Sequence, residues 1–251
     1  MIHYHGCPFS GGTFTQLAFA GKHAMISFAA NENAEMIIEL CQSFCFDNGA
    51  FTSWRQGKEF DMDGFAEFVE TWHRHPGFDF YCIPDVIDGD HNDNQRMRSN
   101  WFKKVSSQVW KLGAPVYHLH EPLSVLREMT NAYSRICLGS SGQYSTVGSP
   151  AWWKRMAEVM DVVTDEQGRP ICKLHGLRML DPTIFSHLPL ASADSTNVAR
   201  HCGSPGRWKG AYVPPDKKTR AIVMMQRIEG HASAATWNQG VGLTKNRDLF
   251  G

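Results

Sequence analysis

Residues 190–208 read LASADSTNVARHCGSPGRW: a short apolar run stops on Asp194, small polar residues follow at once, and Arg200 and His201 come close behind. A run of this size suits a strand, and an acid at its end serves either as a helix cap or as a side chain delivered to a strand terminus. The same shape recurs along the chain. IHYHG (2–6), AMISFA (24–29), FCFDNG (44–49), FDFYCIPD (78–85), PVYHLH (115–120), RICLG (135–139), ICKLHGL (171–177) and PLASAD (189–194) are apolar runs, mostly of strand length and with turn or polar residues after them.

Helical periodicity fills the later intervals. DMDGFAEFVETWHRH (61–75) places Phe65, Phe68, Val69 and Trp72 on one face, and NQRMRSNWFKKVSSQVWKLG (94–113) does the same with Met97, Trp101, Val105 and Val109. SPAWWKRMAEVMDVV (149–163) opens with Ser149 as N-cap and Pro150 at the first helical position. Strand then helix, repeated over 251 residues, predicts an α/β fold, a (β/α)8 barrel of the TIM type. Little room separates the first two strands, so irregularity is expected at the N-terminus. A doubly wound open sheet is the competitor, but neither the SGG near residue 11 nor GSSG (139–142) forms a dinucleotide or Walker fingerprint. The expected organisation is one catalytic barrel over 1–251, with 200–251 a basic extension and C-terminal packing segment.

Composition sets outer bounds. With 42% hydrophobic and 20% charged residues the chain is ordinary for a globular protein, and no apolar run approaches a membrane span. Its N-terminus lacks the basic and apolar regions of a signal peptide. Seven scattered cysteines suggest a reducing compartment rather than a disulfide framework, so a cytoplasmic location is expected, with no membrane partner. No CxxC appears, and neither a metal nor a cofactor is expected. The formal net charge of zero argues against holding long duplex DNA by charge alone, yet Arg200, Arg207, Lys209, Lys217, Lys218 and Arg220 face a single acid, Asp216, between 200 and 220. That segment is either a solvated basic loop or a phosphate-contacting patch.

In a parallel barrel the catalytic side chains gather where strands run out into loops. Asp47 and Asn48 end the run FCF, Asp85 ends FYCIP, and His118 and His120 end VYHLH with Glu121 after them. Gly139, Ser140, Ser141, Gly142 and Gln143 follow RICL, His175 and Gly176 lie in KLHGLR, and Asp194 ends PLASA. Each acid alone reads as a cap or an Asx-turn; three together predict one acidic pocket. A carboxylate can attack an anomeric carbon, a second can move protons, and a third, or glycine N–H groups, can read the edge of a planar heterocycle. His3 and His5 alternate, as do His118 and His120, so each pair shares one side of its strand. Pointed into the barrel mouth, the four would hold a metal, orient acids or fill a polar layer. Phe51, Trp54 and Tyr144 are candidates to stack on a base, or are core.

FDNGAF (46–51) resembles the D-S-G-G-F strand end of the tRNA-guanine transglycosylases, and DSTNVARHCG (194–203) resembles their D-x-x-x-P-T-R-x-A-R-x-G segment. FDFYCIPD and RICLGSSG resemble the strand ends that hold the base in that family. The resemblance spans residues 44–203 in order. It implies a barrel enzyme in which Asp194 is the nucleophile and Asp47 the acid/base group. Asp85 and the 139–143 loop would bind the base, with Asn48, His118, His175, Gly176 and Asn197 around it and Arg200, Arg207 and Lys209 on phosphates. The family's cysteine cluster for zinc is missing, and Asn197 stands where an arginine is usual. The sequence looks closest to compact phage and bacterial-island relatives that insert 7-deazaguanines such as preQ0 into DNA. The implied partners are DNA and a free 7-deazaguanine base. The same exchange on tRNA, a nucleosidase or base glycosylase using water, and a non-catalytic nucleic-acid binding module remain the alternatives.

Overall fold

The computed structural model describes residues 1–204, 208 and 212–238. All eight expected runs form strands: β1 (Ile2–Cys7), β2 (His23–Ser27), β3 (Ser43–Asp47), β4 (Phe78–Cys82), β6 (Val116–His118), β7 (Arg135–Gly139), β8 (Lys173–Gly176) and β9 (Ser192–Ser195). A two-residue piece, β5 (Gly113–Ala114), precedes β6. The strands pair in parallel in the order β5-β4-β3-β2-β1-β9-β8-β7-β6. The two ends of that order, β5 and β6, are separated in the chain only by Pro115. One interrupted strand thus joins both edges and closes the sheet into an eight-membered barrel. Proline at the break has no N–H to give, while its carbonyl still accepts the Cys137 N–H at 2.9 Å.

Helices wrap the outside. Asp61 caps Met62–Trp72 through the Gly64 N–H, and that helix buries Phe65, Ala66 and Val69. Ser149 caps Pro150–Val163 as expected, its hydroxyl accepting the Trp152 N–H. The segment expected as one helix over 94–113 is instead two, His91–Phe102 and Ser107–Leu112. Ser106 takes an extended conformation and accepts the Val109 N–H, so a serine that favours capping over helix interior starts a new helix there. The crowded N-terminal interval holds only the short helix Thr13–Gln16 and a 3-10 turn, Leu17–Phe19. Among the described residues no helix is long and apolar enough to cross a membrane.

Alternation along β1 has the opposite sense from the one expected. Tyr4 points inward, packing edge-on against Phe80 and His175 in the barrel interior with Met25, Cys45, Cys82 and Cys137. His3 and His5 point outward instead. His3 Nε2 is hydrogen-bonded to the His231 carbonyl, and His5 Nε2 to Glu229 at the end of the helix Lys217–Glu229. Period two puts both histidines on one side of the strand but does not say which side faces the core. All seven cysteines are free thiols.

Candidate active site

Since every strand is parallel, all their C-terminal ends open at one mouth, where a cavity of about 740 Å³ is bounded by the three predicted acids, Asp47, Asp85 and Asp194, and by Gly139, Ser140, Ser141 and Gly142. Asp47 ends β3. The chain leaves it through Gly49 at φ 78°, where a Cβ would sit 2.8 Å from Ala29, so glycine is required for the turn into the helix Ala50–Arg55. Ser27 Oγ donates to Asp47 Oδ2 at 3.0 Å. Burial, and next the charge of Asp194, push the Asp47 carboxyl up to about 6, against the smaller effect of the Ser27 hydrogen bond.

Asp85 is held from two sides. Asn48 Nδ2 donates to its Oδ1 at 2.8 Å and to the Ile83 carbonyl at 3.0 Å, while Asn48 Oδ1 accepts the Ala50 N–H. Asn48 therefore borders the cavity with its amide already committed to orienting Asp85. His118 Nε2 lies 2.9 Å from Asp85 Oδ2, an ion-pair contact rather than an aligned hydrogen bond. Burial alone would lower the His118 pKa, but the Asp85 carboxylate raises it above the ordinary histidine value.

Asp194 does not cap the following helix, Asn197–His201, whose N-cap is Thr196. Its Oδ1 accepts the backbone N–H of Arg178 at 2.9 Å and lies 3.4 Å from His175 Nε2, whose other ring nitrogen is hydrogen-bonded to Ser192. Arg178 has φ 60°, unusual for a residue with a Cβ, and this left-handed turn aims its N–H at Asp194. The same guanidinium donates to the Ser140 carbonyl at 2.7 Å and lies 5.2 Å over the Phe51 ring. Arg178 escaped the sequence reading; its one signal is a cation just past a strand end.

The remaining predicted residues divide. Ser140 is buried and accepts the Trp152 indole N–H, whereas Ser141 is hydrogen-bonded to His120 on the rim. Gln143 lies in the turn Gly142–Tyr144 but not on the cavity wall, and His175 and Gly176 sit beneath it in the packed barrel. Asn197 lines a neighbouring groove of about 510 Å³ with His201, and Arg200 borders both spaces. Arg207 and Lys209 fall outside the described residues. Arg220 donates to the carbonyls of Pro214 and Pro215. Of the aromatic candidates, Phe51 and Trp54 are exposed at the cavity, while Tyr144 lies against Arg155.

This arrangement combines a carboxyl that exchanges its proton near pH 6, a carboxylate oriented by a backbone N–H, and a third held between an amide and an imidazole. Among the described residues no group of three or more His, Cys, Asp or Glu side chains is placed to hold a metal ion. Comparison with protein-family models and with curated proteins finds no match for the chain, so what is shown of its kinship is a TIM-barrel-type fold.

Proposed function

We propose that the protein is a transglycosylase that exchanges guanine in DNA for a free 7-deazaguanine base such as preQ0, through a covalent aspartyl-nucleotide intermediate. The observation that carries this reading is the meeting of three carboxyls from three strand ends in one cavity, with Asp47 raised by burial and by Asp194. Asp194 attacks C1′, forming the C1′–O ester bond as the bond to guanine N9 breaks. Protonated Asp47 gives its proton to the departing guanine. The resulting carboxylate takes the N9 proton of the incoming base, whose nitrogen displaces Asp194 and restores both acids. Asp85 accepts N–H groups from the edge of either base, and Arg200 meets the backbone phosphates. A base in a duplex must first leave the stack, which costs a few kcal/mol, on the order of one broken pair.

The test is intact-mass analysis of the protein mixed with guanine-containing DNA, and separately with tRNA, with and without preQ0. A denaturation-resistant adduct on DNA, absent in Asp194→Ala, together with base exchange on adding preQ0, is the expected result. An adduct on tRNA alone would transfer the chemistry to that polymer. An abasic product without base incorporation would make the protein a glycosylase, and no adduct with either polymer would remove Asp194 from the chemistry.

A further inference from the structure

Ser192 and Asp194 lie two apart on β9, so both side chains fall on one side of the strand. His175, on the neighbouring β8, stands in register with Ser192, and its ring spans the two. Nδ1 is hydrogen-bonded to Ser192 Oγ at 2.8 Å, and Nε2 lies 3.4 Å from Asp194 Oδ1. Phe80 and Tyr4 pack edge-on against the same ring, with centroids 5.0 and 6.1 Å away, and the Tyr4 hydroxyl is turned off to Asp79. His175 is fully buried, and among the described residues its Nε2 has no aligned hydrogen-bond partner. A buried ring nitrogen left without a partner is costly and asks for a reason. Here it faces the acid at the head of the proposed chemistry.

We propose that His175 is a positioning residue for the nucleophile: its Nε2–H and the Arg178 backbone N–H together hold Asp194 Oδ1, so that Oδ2 is the oxygen that attacks C1′. The Arg178 N–H already reaches Oδ1 at 2.9 Å, and among the described residues no donor engages Oδ2. Ser192, as donor at Nδ1, leaves the ring hydrogen on Nε2; the other tautomer would set a bare nitrogen against a carboxylate oxygen. The proposal rests on the base-exchange reading and adds the group beneath its nucleophile. As the C1′–Oδ2 ester forms, the C1′–N9 pair leaves with guanine, which takes the Asp47 proton, and Oδ1 becomes the ester carbonyl. When N9 of the incoming base attacks C1′ and gives its proton to Asp47, the C1′–Oδ2 pair returns to Asp194. Charge is then restored across the carboxylate, and two donors on Oδ1 favour that state over the ester. His175 gives up no proton in either half.

The experiment is a pulse and chase on the full chain. Guanine-containing DNA, or tRNA if the adduct forms there, loads the adduct, preQ0 discharges it, and intact mass of quenched samples reads its lifetime. In His175→Phe, which keeps a ring but no donor, the adduct is expected to persist about 10–100-fold longer than in wild type, the range for one hydrogen bond to a charged group. His175→Gln restores an amide N–H near the Nε2 position and should return the lifetime close to that of wild type. A core that is merely disturbed would slow loading and discharge together in both variants. A His175→Phe adduct that lives no longer than the wild-type one, or whose lifetime His175→Gln shares, overturns the proposal. A second measurement needs no variant at position 175 to fold: NMR of the His175 ring nitrogens in wild type and Asp194→Ala. A hydrogen on Nε2 whose signal shifts in Asp194→Ala supports the contact, and a bare Nε2, or ring signals indifferent to Asp194, overturns it. If wild type forms no adduct with either polymer, the base-exchange reading fails and takes the proposal with it; an adduct whose lifetime ignores His175 sinks the proposal alone.

Discussion

Near the N-terminal end of the barrel, Asp79 accepts hydrogen bonds from Tyr4 at 2.7 Å and from both terminal nitrogens of Arg135 at 2.7 and 3.0 Å. At the opposite end, Asp47 accepts one from the Ser27 hydroxyl and shares its cavity with three further carboxyls, Asp85, Asp88 and Asp194. Burial pushes both acids toward the neutral form, but with opposite net results. Arg135, whose guanidinium also lies 4.1 Å over the Phe80 ring, brings the Asp79 carboxyl below its ordinary value, whereas Asp194 adds to the upward push on Asp47. A carboxylate with a cation and two kinds of donor braces the barrel. One crowded by other carboxylates holds a proton in the range where it can be given away.

The widest separation between the ends is expected in chemistry. Replacing Asp194 by Ala should lower base exchange by roughly 10⁴-fold or more, the scale seen when a nucleophile is removed, with the melting temperature little changed. Single-turnover exchange beside a thermal melt measures both. A melt that collapses with the activity would mean the mouth acid braces the fold as Asp79 does.

Next in size is the floor. Arg135→Ala leaves Asp79 partly buried with its charge uncompensated, and should destabilise by about 3–5 kcal/mol in urea unfolding, the range for a broken buried pair. Asp79 is the depressed case, so its contribution is present above the ordinary aspartate pKa and is lost as pH falls through the lowered value. Arg135→Ala should therefore show a shallower acid decline than wild type. An unchanged acid profile would break the assignment of that decline to the floor.

At the mouth the sign reverses. Asp47 has a raised pKa, so the folded state loses stability as pH rises from the ordinary aspartate value to about 6 and stays penalised above it. Asp47→Asn should accordingly stabilise the protein by about 1–3 kcal/mol at pH 7–8, a shift of roughly two pKa units setting the ceiling, while slowing exchange about 10²–10⁴-fold. Urea melts at pH 5 and pH 8 test it: a gain at pH 8 that vanishes toward pH 5 sharpens the contrast, and a loss at pH 8 breaks it. The smallest effect belongs to Ser27→Ala. Removing a hydrogen bond to the ionised form should move the limb of the pH–rate profile on which Asp47 loses its proton up by a few tenths of a unit, on the order of 1 kcal/mol or less. A limb that falls instead would show that Ser27 favours the protonated acid.

The mouth was more legible in the sequence than the floor. Asp47, Asp85 and Asp194 stand where an apolar run gives way to turn residues, and a parallel barrel brings all such positions to one end. Asp79 lies inside the run FDFYCIPD, where nothing local marks it as the partner of Arg135, 56 residues away. Arg178 was hidden for a similar reason. Its value lies in a left-handed backbone and a bond to a residue 16 positions on, neither of which composition reports.

The features readable from the chain alone are local. Run length and punctuation defined eight strands, Ser149 and Pro150 defined a helix start, and acids after apolar runs defined a polar rim. Which side of β1 faces inward, that Ser106 breaks a helix, and that the Pro115 interruption joins both sheet edges emerge with the assembled barrel. It also decided which acid is paired and which is crowded. The difference is one of range: strand length, capping and turn chemistry depend on neighbours in the chain, whereas burial, charge pairing and proton affinity depend on neighbours in space.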